Sequence, residues 1–241
     1  MNNIIRKGIL SLLTLIILVG CGVPNPIDKF RTELTRFPEY SVVLSDMKEE
    51  GNFSSSYFHQ YTIVTGRKEK DKEDLTYDTV TTDWIRVPQK VYADYENYLG
   101  MTILSKDAEG KISDTASPAG YQYVGDSRYG QWKTDAGGGS FWEFYGKYMF
   151  MSSMFNMIGN RINRNDYDNY RTSRSSRRPY FGSNNDYGTN GARTKATHNS
   201  FFERKQQRIS MKNEVFSRKV SNRVGRSSYG SYRSRGGGFG K

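Results

Sequence analysis

Aliphatic residues become sparse after Ile158 in this chain of 241 residues, and that limit constrains the fold more than any other feature. From Gly22 to Gly159 there are 15 lysines and arginines and 20 aspartates and glutamates, whereas from Asn160 to Lys241 the counts are 19 and 5. The second segment consists mainly of Arg, Asn, Ser, Tyr and Gly. Because few aliphatic side chains are present there to offset the entropy of ordering, a core must come from the first segment.

Alternating and helical apolar periodicities divide the first part of that segment into short elements. A helix that Pro38 ends is followed by three strands, a helix that begins at Pro88 and stops at Gly100, and a fourth strand. This order predicts an α+β fold with a small, mainly antiparallel sheet over residues 27–115. The predicted elements are helix Ile27–Phe37, strands Tyr40–Leu44, Phe53–Thr65 and Leu75–Val87, helix 88–99 and strand Met101–Ser105.

Residues 116–159 form a second segment, rich in Gly and Tyr at first and strongly apolar at its end. Residues 117–139 suit either a hairpin or a draped loop. Ser140 and Glu143 have the spacing of a capping box, and they predict a helix from Phe141 to Ile158 with Gly159 after its end. Three interpretations remain open for this aromatic and Met-rich helix: a core helix, a helix lying in a membrane interface, or an oligomer contact.

The third segment, residues 160–241, is predicted to be a largely disordered, basic, low-complexity tail. Disorder is expected for Asn160–Asn199 and again for Arg226–Lys241. Between them, Ser200 and Glu203 repeat the capping-box spacing and open one amphipathic helix to Arg223. The strongly basic tail and the mildly acidic first part suggest different partners for the two regions.

Near the start of the sequence, a charged pair, Arg6-Lys7, precedes an apolar run from Ile9 to Val19 that is too short to span a bilayer as a helix. Cys21, the one cysteine of the chain, follows this run after Gly20. The sequence Leu18-Val19-Gly20-Cys21 resembles the lipobox of bacterial lipoprotein precursors. The resemblance covers about the first 22 residues. The alternative is an ordinary secretory signal with an incidental cysteine.

This resemblance implies a signal peptide over residues 1–20, cleavage before Cys21, acylation of its thiol and new amino terminus, and a lipidated tether over residues 21–26. Two or more acyl chains hold a protein firmly on a membrane. The expected location is therefore the bacterial cell envelope. Because Gly22, and not aspartate, follows the cysteine, the family pattern implies the outer membrane if the organism is Gram-negative.

No catalytic or metal-binding constellation stands out. The two histidines, His59 and His198, are predicted to lie in a strand and in the disordered tail, so a shared metal site is not expected. Asp78 and Asp83 are an odd number of residues apart and would face opposite sides of one strand. No nucleophile elbow, phosphate loop or dinucleotide fingerprint occurs. We therefore predict a non-catalytic protein with no cofactor and no metal.

Membrane or polyanion binding is predicted for the basic helix of the tail, through charge and an apolar face that also includes Ile209 and Val220. Its partners would be the membrane and an anionic lipid, lipopolysaccharide or wall polymer, with nucleic acid as a lesser candidate. A solvated spacer is the alternative role. The predicted binding residues are Arg204, Lys205, Arg208, Lys212, Arg218, Lys219, Arg223, Phe202 and Phe216.

Together these features predict a lipid-anchored envelope protein of structural or interaction type. The competing hypothesis is a ligand-binding module in the α+β domain, with the tail as a spacer. An aromatic cavity around Tyr61, Trp84 and Tyr95 would favour it.

Overall fold

The computed structural model describes residues 23–51, 54–70, 74–155 and 161–228. The predicted signal peptide and Cys21 lie outside these residues. The helices are α1 (Pro26–Leu34), α2 (Gln89–Tyr95), α3 (Met149–Met154), α4 (Arg164–Ser175), α5 (Ala192–Thr197) and α6 (Asn199–Ser228), with 3₁₀ turns at Tyr121–Tyr123 and Gly146–Tyr148. The strands are β1 (Glu39–Glu50), β2 (Ser56–Lys68), β3 (Leu75–Thr81), β4 (Ile85–Val87), β5 (Met101–Lys106), β6 (Ile112–Ser113), β7 (Ser117–Pro118), β8 (Gly130–Thr134) and β9 (Ser140–Phe144).

The main sheet has the order β3-β2-β1-β5-β6, and its pairings are antiparallel. Strands β4 and β7 extend it by pairing with β2 and β5, while β8 and β9 form a separate hairpin. The predicted α+β class with a mainly antiparallel sheet is confirmed. The alternating residues of β2 were the main signal, because side chains on a strand point to the two faces in turn.

The two faces of the sheet are covered by different parts of the chain. One face carries α1 and α2, and its core includes Phe30, Leu44 and Tyr61 together with Phe201 of α6. The opposite face packs Val43 and Val64 against a tyrosine-rich layer built from residues 119–180. The sheet is thus buried on both faces. Sequence analysis predicted the helices that cover one face, but not the tyrosine-rich layer that covers the other.

Strand β1 is longer than its partner β5, and this leaves part of its edge unpaired. It pairs with β2 as far as Glu50, but with β5 only from Tyr40 to Val43. A bulge between Leu44 and Asp46 shifts the alternation, so that Leu44 and Met47 are both buried. Among the described strands, none pairs with the rest of that edge, which must be covered in another way.

The predicted helix from Phe141 to Ile158 is wrong for most of its described length. Ser140–Phe144 is strand β9, a 3₁₀ turn follows it, and α3 covers only Met149–Met154. Aromatic residues favour strands, and β9 pairs with β8 while Trp142 and Phe144 point into the core. The capping-box spacing at Ser140 was a coincidence. The end of the predicted helix, residues 156–158, lies outside the described residues.

The predicted disorder of Asn160–Asn199 is wrong for the described residues 161–199. Helix α4 and helix α5 lie here, and Ile162, Tyr170 and Tyr180 are buried in the tyrosine-rich layer. The hydroxyls of Tyr121 and Tyr180 each donate a hydrogen bond of 2.5 Å to the buried carboxylate of Asp166. Tyrosine rings thus supply the buried area that aliphatic residues usually provide, and their hydroxyls find partners.

The predicted helix from Ser200 to Arg223 is present as part of α6. It begins one residue earlier, at Asn199, and continues to Ser228, where residues 226–228 had been assigned to a disordered end. The remainder of that predicted disordered end, residues 229–241, lies outside the described residues.

Candidate functional site: a basic helix with a docked and an exposed half

The first turn of α6 anchors the helix in the core of the sheet. Phe201 is buried in the cluster that contains Leu44, and the half-buried Phe202 packs against the same cluster. The two rings meet edge to face with their centroids 5.0 Å apart. Phe202, predicted to contact a membrane or polyanion, therefore contributes to the docking of the helix.

One turn further, two arginines bind acidic residues of β1, and we call these ion pairs the clamp. Arg204 Nη2 donates to both carboxylate oxygens of Asp46 at 2.6 Å. Arg208 Nη2 donates to Glu49 Oε1 at 2.6 Å and to the Gly51 carbonyl oxygen at 3.1 Å, while its Nη1 donates to the Glu49 carbonyl oxygen at 3.1 Å. The clamp thereby covers the unpaired end of β1.

Glu49 is the most connected carboxylate of the clamp. It also accepts a hydrogen bond of 2.5 Å from the Ser55 hydroxyl, and Lys212 Nζ lies 3.5 Å from its Oε1. Burial raises the pKa of Glu49, but the hydrogen bonds from Ser55 and Arg208 outweigh it, so the pKa lies below the ordinary value. The carboxylate is ionised at neutral pH and neutralises Arg208.

Beyond the clamp, α6 is exposed on every side. Each residue from Ile209 to Arg223, which we call the arm, has an exposed side chain. The arm includes Met211, Val215 and Phe216, of which Phe216 is 68% exposed. A helical stretch of this length is only marginally stable alone, so its stability depends on the docked turns before it.

The apolar side chains of the arm are arranged on one main stripe. Each residue advances about 100° around an α-helix, so Ile209, Phe216 and Val220 fall within about 40° of arc. We call them the apolar stripe. Lys212, Lys219 and Arg223 form a basic row roughly 60° away from it by the same geometry. The arm is therefore amphipathic, with cations bordering its apolar side.

The predicted binding residues thus separate into two groups. Arg204, Arg208 and Lys212 face carboxylates of β1, and Arg218 pairs with Glu214 within the arm. The other three cations, Lys205, Lys219 and Arg223, are exposed and form no ion pair with the described residues. The structure does not bring all seven cations to one binding surface.

Sequence analysis missed the acidic half of the clamp. Asp46 and Glu49 had no assigned role, and they lie more than 150 residues from their arginines along the chain. The available signal was weak: two carboxylates at a strand end and two arginines one helical turn apart. Which carboxylates pair with which arginines can be identified only when the packing of the helix on the strand is known.

A cleft of about 400 Å³ lies between β1, α2 and α6. Tyr92, Glu96 and Lys205 contribute to its lining, as do the two clamp arginines. The aromatic cavity expected around Tyr61, Trp84 and Tyr95 does not form. Tyr61 and Tyr95 pack around His59, whereas Trp84 lies beneath Lys48, at 4.4 Å, and Arg204, at 5.6 Å.

Two buried titratable groups lie in the sheet itself. His59 is fully buried, and burial lowers its pKa to about 4, so the ring is neutral at pH 7. Its Nδ1 lies 2.8 Å from the Tyr61 hydroxyl oxygen. Burial also raises the pKa of Glu39, against hydrogen bonds of 2.6 Å from Tyr129 and 2.7 Å from Tyr77. Both groups are held by the core.

Within residues 23–51, 54–70, 74–155 and 161–228, no group of three or more His, Cys, Asp or Glu residues is arranged to hold a metal ion. In the same ranges, no helix combines the length and the apolar character needed to cross a membrane. No protein-family model matches the chain, and no curated protein or solved structure matches it either.

Proposed function

We propose that this protein is a lipid-anchored, non-catalytic protein of the bacterial cell envelope whose arm binds an anionic membrane surface. The observation that carries the proposal is the all-round exposure of Ile209–Arg223, a helix with an apolar stripe bordered by cations. Amphipathic helices of this kind lie in the membrane interface with the apolar side inserted and the basic residues near the headgroups.

Charge supports an anionic partner. The arm contains Lys212, Arg218, Lys219 and Arg223 against Glu214 alone, a net charge of +3. Each cation close to an anionic bilayer contributes about 1 kcal/mol of attraction, and salt weakens it. The apolar stripe adds an insertion energy that salt does not screen.

The same charges argue against a second copy of the chain as the partner. Lys212 and Lys219 border the apolar stripe on one side. In a helix pair these positions would bring like charges close to the seam, which destabilises the pair. An anionic lipid surface binds both parts of the arm, because the apolar stripe inserts into the membrane interface and the basic row contacts the headgroups.

The proposed anchor and the arm are compatible in position. If Cys21 is acylated, the tether enters the described structure at Val23 and leads directly into α1. Ile27 of α1 and Phe201 of α6 belong to the same core cluster. The tether and the arm thus start from one side of the sheet, and a membrane-held anchor keeps the arm close to the lipid surface.

The arm is tested by sedimentation of residues 22–241 with anionic and neutral vesicles; this protein keeps every described residue and lacks the proposed signal peptide and acylation site. We expect binding to phosphatidylglycerol vesicles and not to phosphatidylcholine vesicles. Phe216→Ala with Val220→Ala should weaken that binding by about tenfold or more at high salt, because roughly 1–3 kcal/mol of insertion is lost.

The matched control is Met211→Ala with Val215→Ala, which removes two exposed apolar side chains outside the stripe. It should bind nearly as the parent does. Equal binding by all three proteins would contradict insertion of the stripe.

The anchor is tested separately in cells. Cys21→Ser should abolish labelling by a fatty-acid probe and leave an uncleaved precursor. Labelling that persists in this variant would contradict the lipoprotein assignment, whatever the vesicle experiment shows.

The cleft favours a second candidate function, a ligand-binding module for which α6 is only a wall. Its lining combines Glu49, Glu96, Lys205 and the ring of Tyr92. This hypothesis predicts that a zwitterionic small molecule raises the melting temperature of the parent and not of Tyr92→Ala. It gains support if the stripe variant and its control bind vesicles equally well.

A further inference from the structure

A second basic surface lies on the tyrosine-rich layer, where arginines alternate with aromatic rings. The Arg161 guanidinium lies 4.6 Å from the centroid of the Phe141 ring, and that of Arg164 lies 4.8 Å from Trp132. Tyr167 follows, with Arg164 at 6.0 Å and Arg171 at 5.9 Å from its ring. The register of the β8–β9 hairpin pairs Trp132 with Trp142 and Lys133 with Phe141, so Phe141 and Arg161 lie on the other face of the hairpin from Trp132. We call Arg164, Arg171, Trp132 and Tyr167 the arginine ladder.

The charges of the ladder are largely unneutralised. Among the described residues, Arg171 forms no ion pair, and Arg164 reaches Asp168 only at 3.6 Å. The neighbouring Asp166 forms no ion pair with these arginines; its carboxylate is buried and accepts hydrogen bonds from Tyr121, Tyr180 and Ser183. This differs from the clamp, where each arginine has a carboxylate within 2.6 Å.

The ladder leads into a groove of about 500 Å³ along α4. Tyr167 and Arg171 belong to both, and Lys111 and Arg174 line the groove further along. Arg174 is held in place by Asp107, at 2.9 Å. Asp107 and Asp168 also line the groove, so an extended ligand that followed it would meet Arg171 and Lys111 as the cations without an ion pair to the described residues.

The two ring systems of the ladder, Trp132 and Tyr167, are half-buried and adjacent. The centroids of Trp132 and Tyr167 are 5.4 Å apart, and Trp132 packs edge to face on the buried Trp142 at 5.3 Å. Rings fixed in this way present a rigid platform. Arginines that already rest on rings lose less conformational freedom when they bind a ligand.

We propose that the arginine ladder and its groove bind single-stranded nucleic acid. Phosphates would be bound by Arg164, Arg171 and Lys111, and bases would stack on Trp132 and Tyr167. A basic groove combined with aromatic platforms and stacked arginines is the arrangement that single strands require, because every base has a face that can stack. A membrane surface fits less well, since the ladder has no aliphatic stripe to insert.

This inference concerns residues that the arm does not use, so the two proposals can fail separately. The experiment measures fluorescence anisotropy of a labelled 20-nucleotide oligo-dT with the same residues 22–241. Arg164→Gln with Arg171→Gln should weaken binding by about tenfold and reduce the slope of log affinity against log salt by about 1.4, the equivalent of two phosphate contacts to a single strand.

The matched control is Lys219→Gln with Arg223→Gln, which removes two exposed cations from the arm and should leave oligo-dT affinity unchanged. A polyphosphate with the same number of charges should bind more weakly than oligo-dT. Stacking is read directly from quenching of tryptophan fluorescence by oligo-dT, which Trp132→Phe should remove while binding persists.

Three outcomes would overturn the proposal. The first is equal oligo-dT affinity of the parent and the ladder variant, and the second is loss of binding in the arm control. The third is polyphosphate binding as tight as oligo-dT without quenching, which would identify the surface as a phosphate-polymer site that does not recognise bases.

Discussion

The two halves of helix α6 have similar compositions and opposite environments. The first half holds Phe201 in the core and pairs Arg204 and Arg208 with carboxylates of β1. The second half also carries a phenylalanine and several cations, yet all its side chains from Ile209 to Arg223 are exposed. A basic, amphipathic pattern therefore does not distinguish a helix that docks on its own domain from one that extends away from it.

The difference arises from the partner that each half meets. The end of β1 presents an unpaired edge together with Asp46 and Glu49, and only the first half of α6 lies beside it. The charges of Arg204 and Arg208 are neutralised there by carboxylates of the same chain. In the arm, Lys212 still reaches Glu49 and Arg218 pairs with Glu214, but Lys219 and Arg223 form no ion pair with the described residues and are available to an outside partner, which is why we assign binding to this half.

The sharpest test of this comparison replaces one phenylalanine in each half. Phe201→Ala should lower the free energy of unfolding by about 3–5 kcal/mol, because it removes a buried ring and leaves a cavity. Phe216→Ala should change it by less than about 0.5 kcal/mol, since the ring is 68% exposed. Urea denaturation measures both values. Similar losses in the two variants would show that the arm packs against the domain.

Acid should act on the docked side of the sheet through His59. Burial lowers the pKa of His59 to about 4 from 6.5, so between these values the unfolded chain takes up a proton that the folded chain does not. Stability should therefore fall as the pH decreases from 6.5 to about 4, by up to about 3 kcal/mol, and His59 should contribute no further change below that range. His59→Phe should flatten this part of the profile; an unchanged profile would contradict the assignment.

The smallest expected difference compares the same substitution in the clamp and in the arm. Glu49→Gln should destabilise the protein by about 1–2 kcal/mol, because Arg208 and Lys212 lose their carboxylate. Glu214→Gln removes only the exposed pair with Arg218, and about 0.5 kcal/mol or less is expected. The low pKa of Glu49 implies that the clamp contribution is present at neutral pH and is lost as the pH falls below about 4.5. Equal effects at pH 7 would mean that the clamp contributes no more than a surface pair.

Much of the α+β region was predictable because its signals are local. The alternation from Tyr57 to Val64 and the helix that ends before Pro38 each concern neighbours in sequence. The bulge in β1 was not predictable, since it adjusts the register of β1 to β2 and to the core.

The errors after residue 139 have a common physical cause. Phe141–Phe144 has the apolar content of a helix or a strand, and pairing with β8 decided between them. Tyr170 and Tyr180 appeared to belong to a disordered polar segment, yet they are buried around Asp166 and Tyr121. A tyrosine ring can be buried like an apolar side chain when its hydroxyl has a hydrogen-bond partner inside the protein.

The candidate site divides in the same way. The sequence alone determined that α6 is a helix, that it is basic and that Ile209, Phe216 and Val220 share one side of it, because helical periodicity depends only on spacing. Only the tertiary structure decided which of its cations are neutralised and which are exposed. That outcome depends on carboxylates of β1 brought beside the helix by the packing of Phe201, a long-range contact that no local pattern encodes.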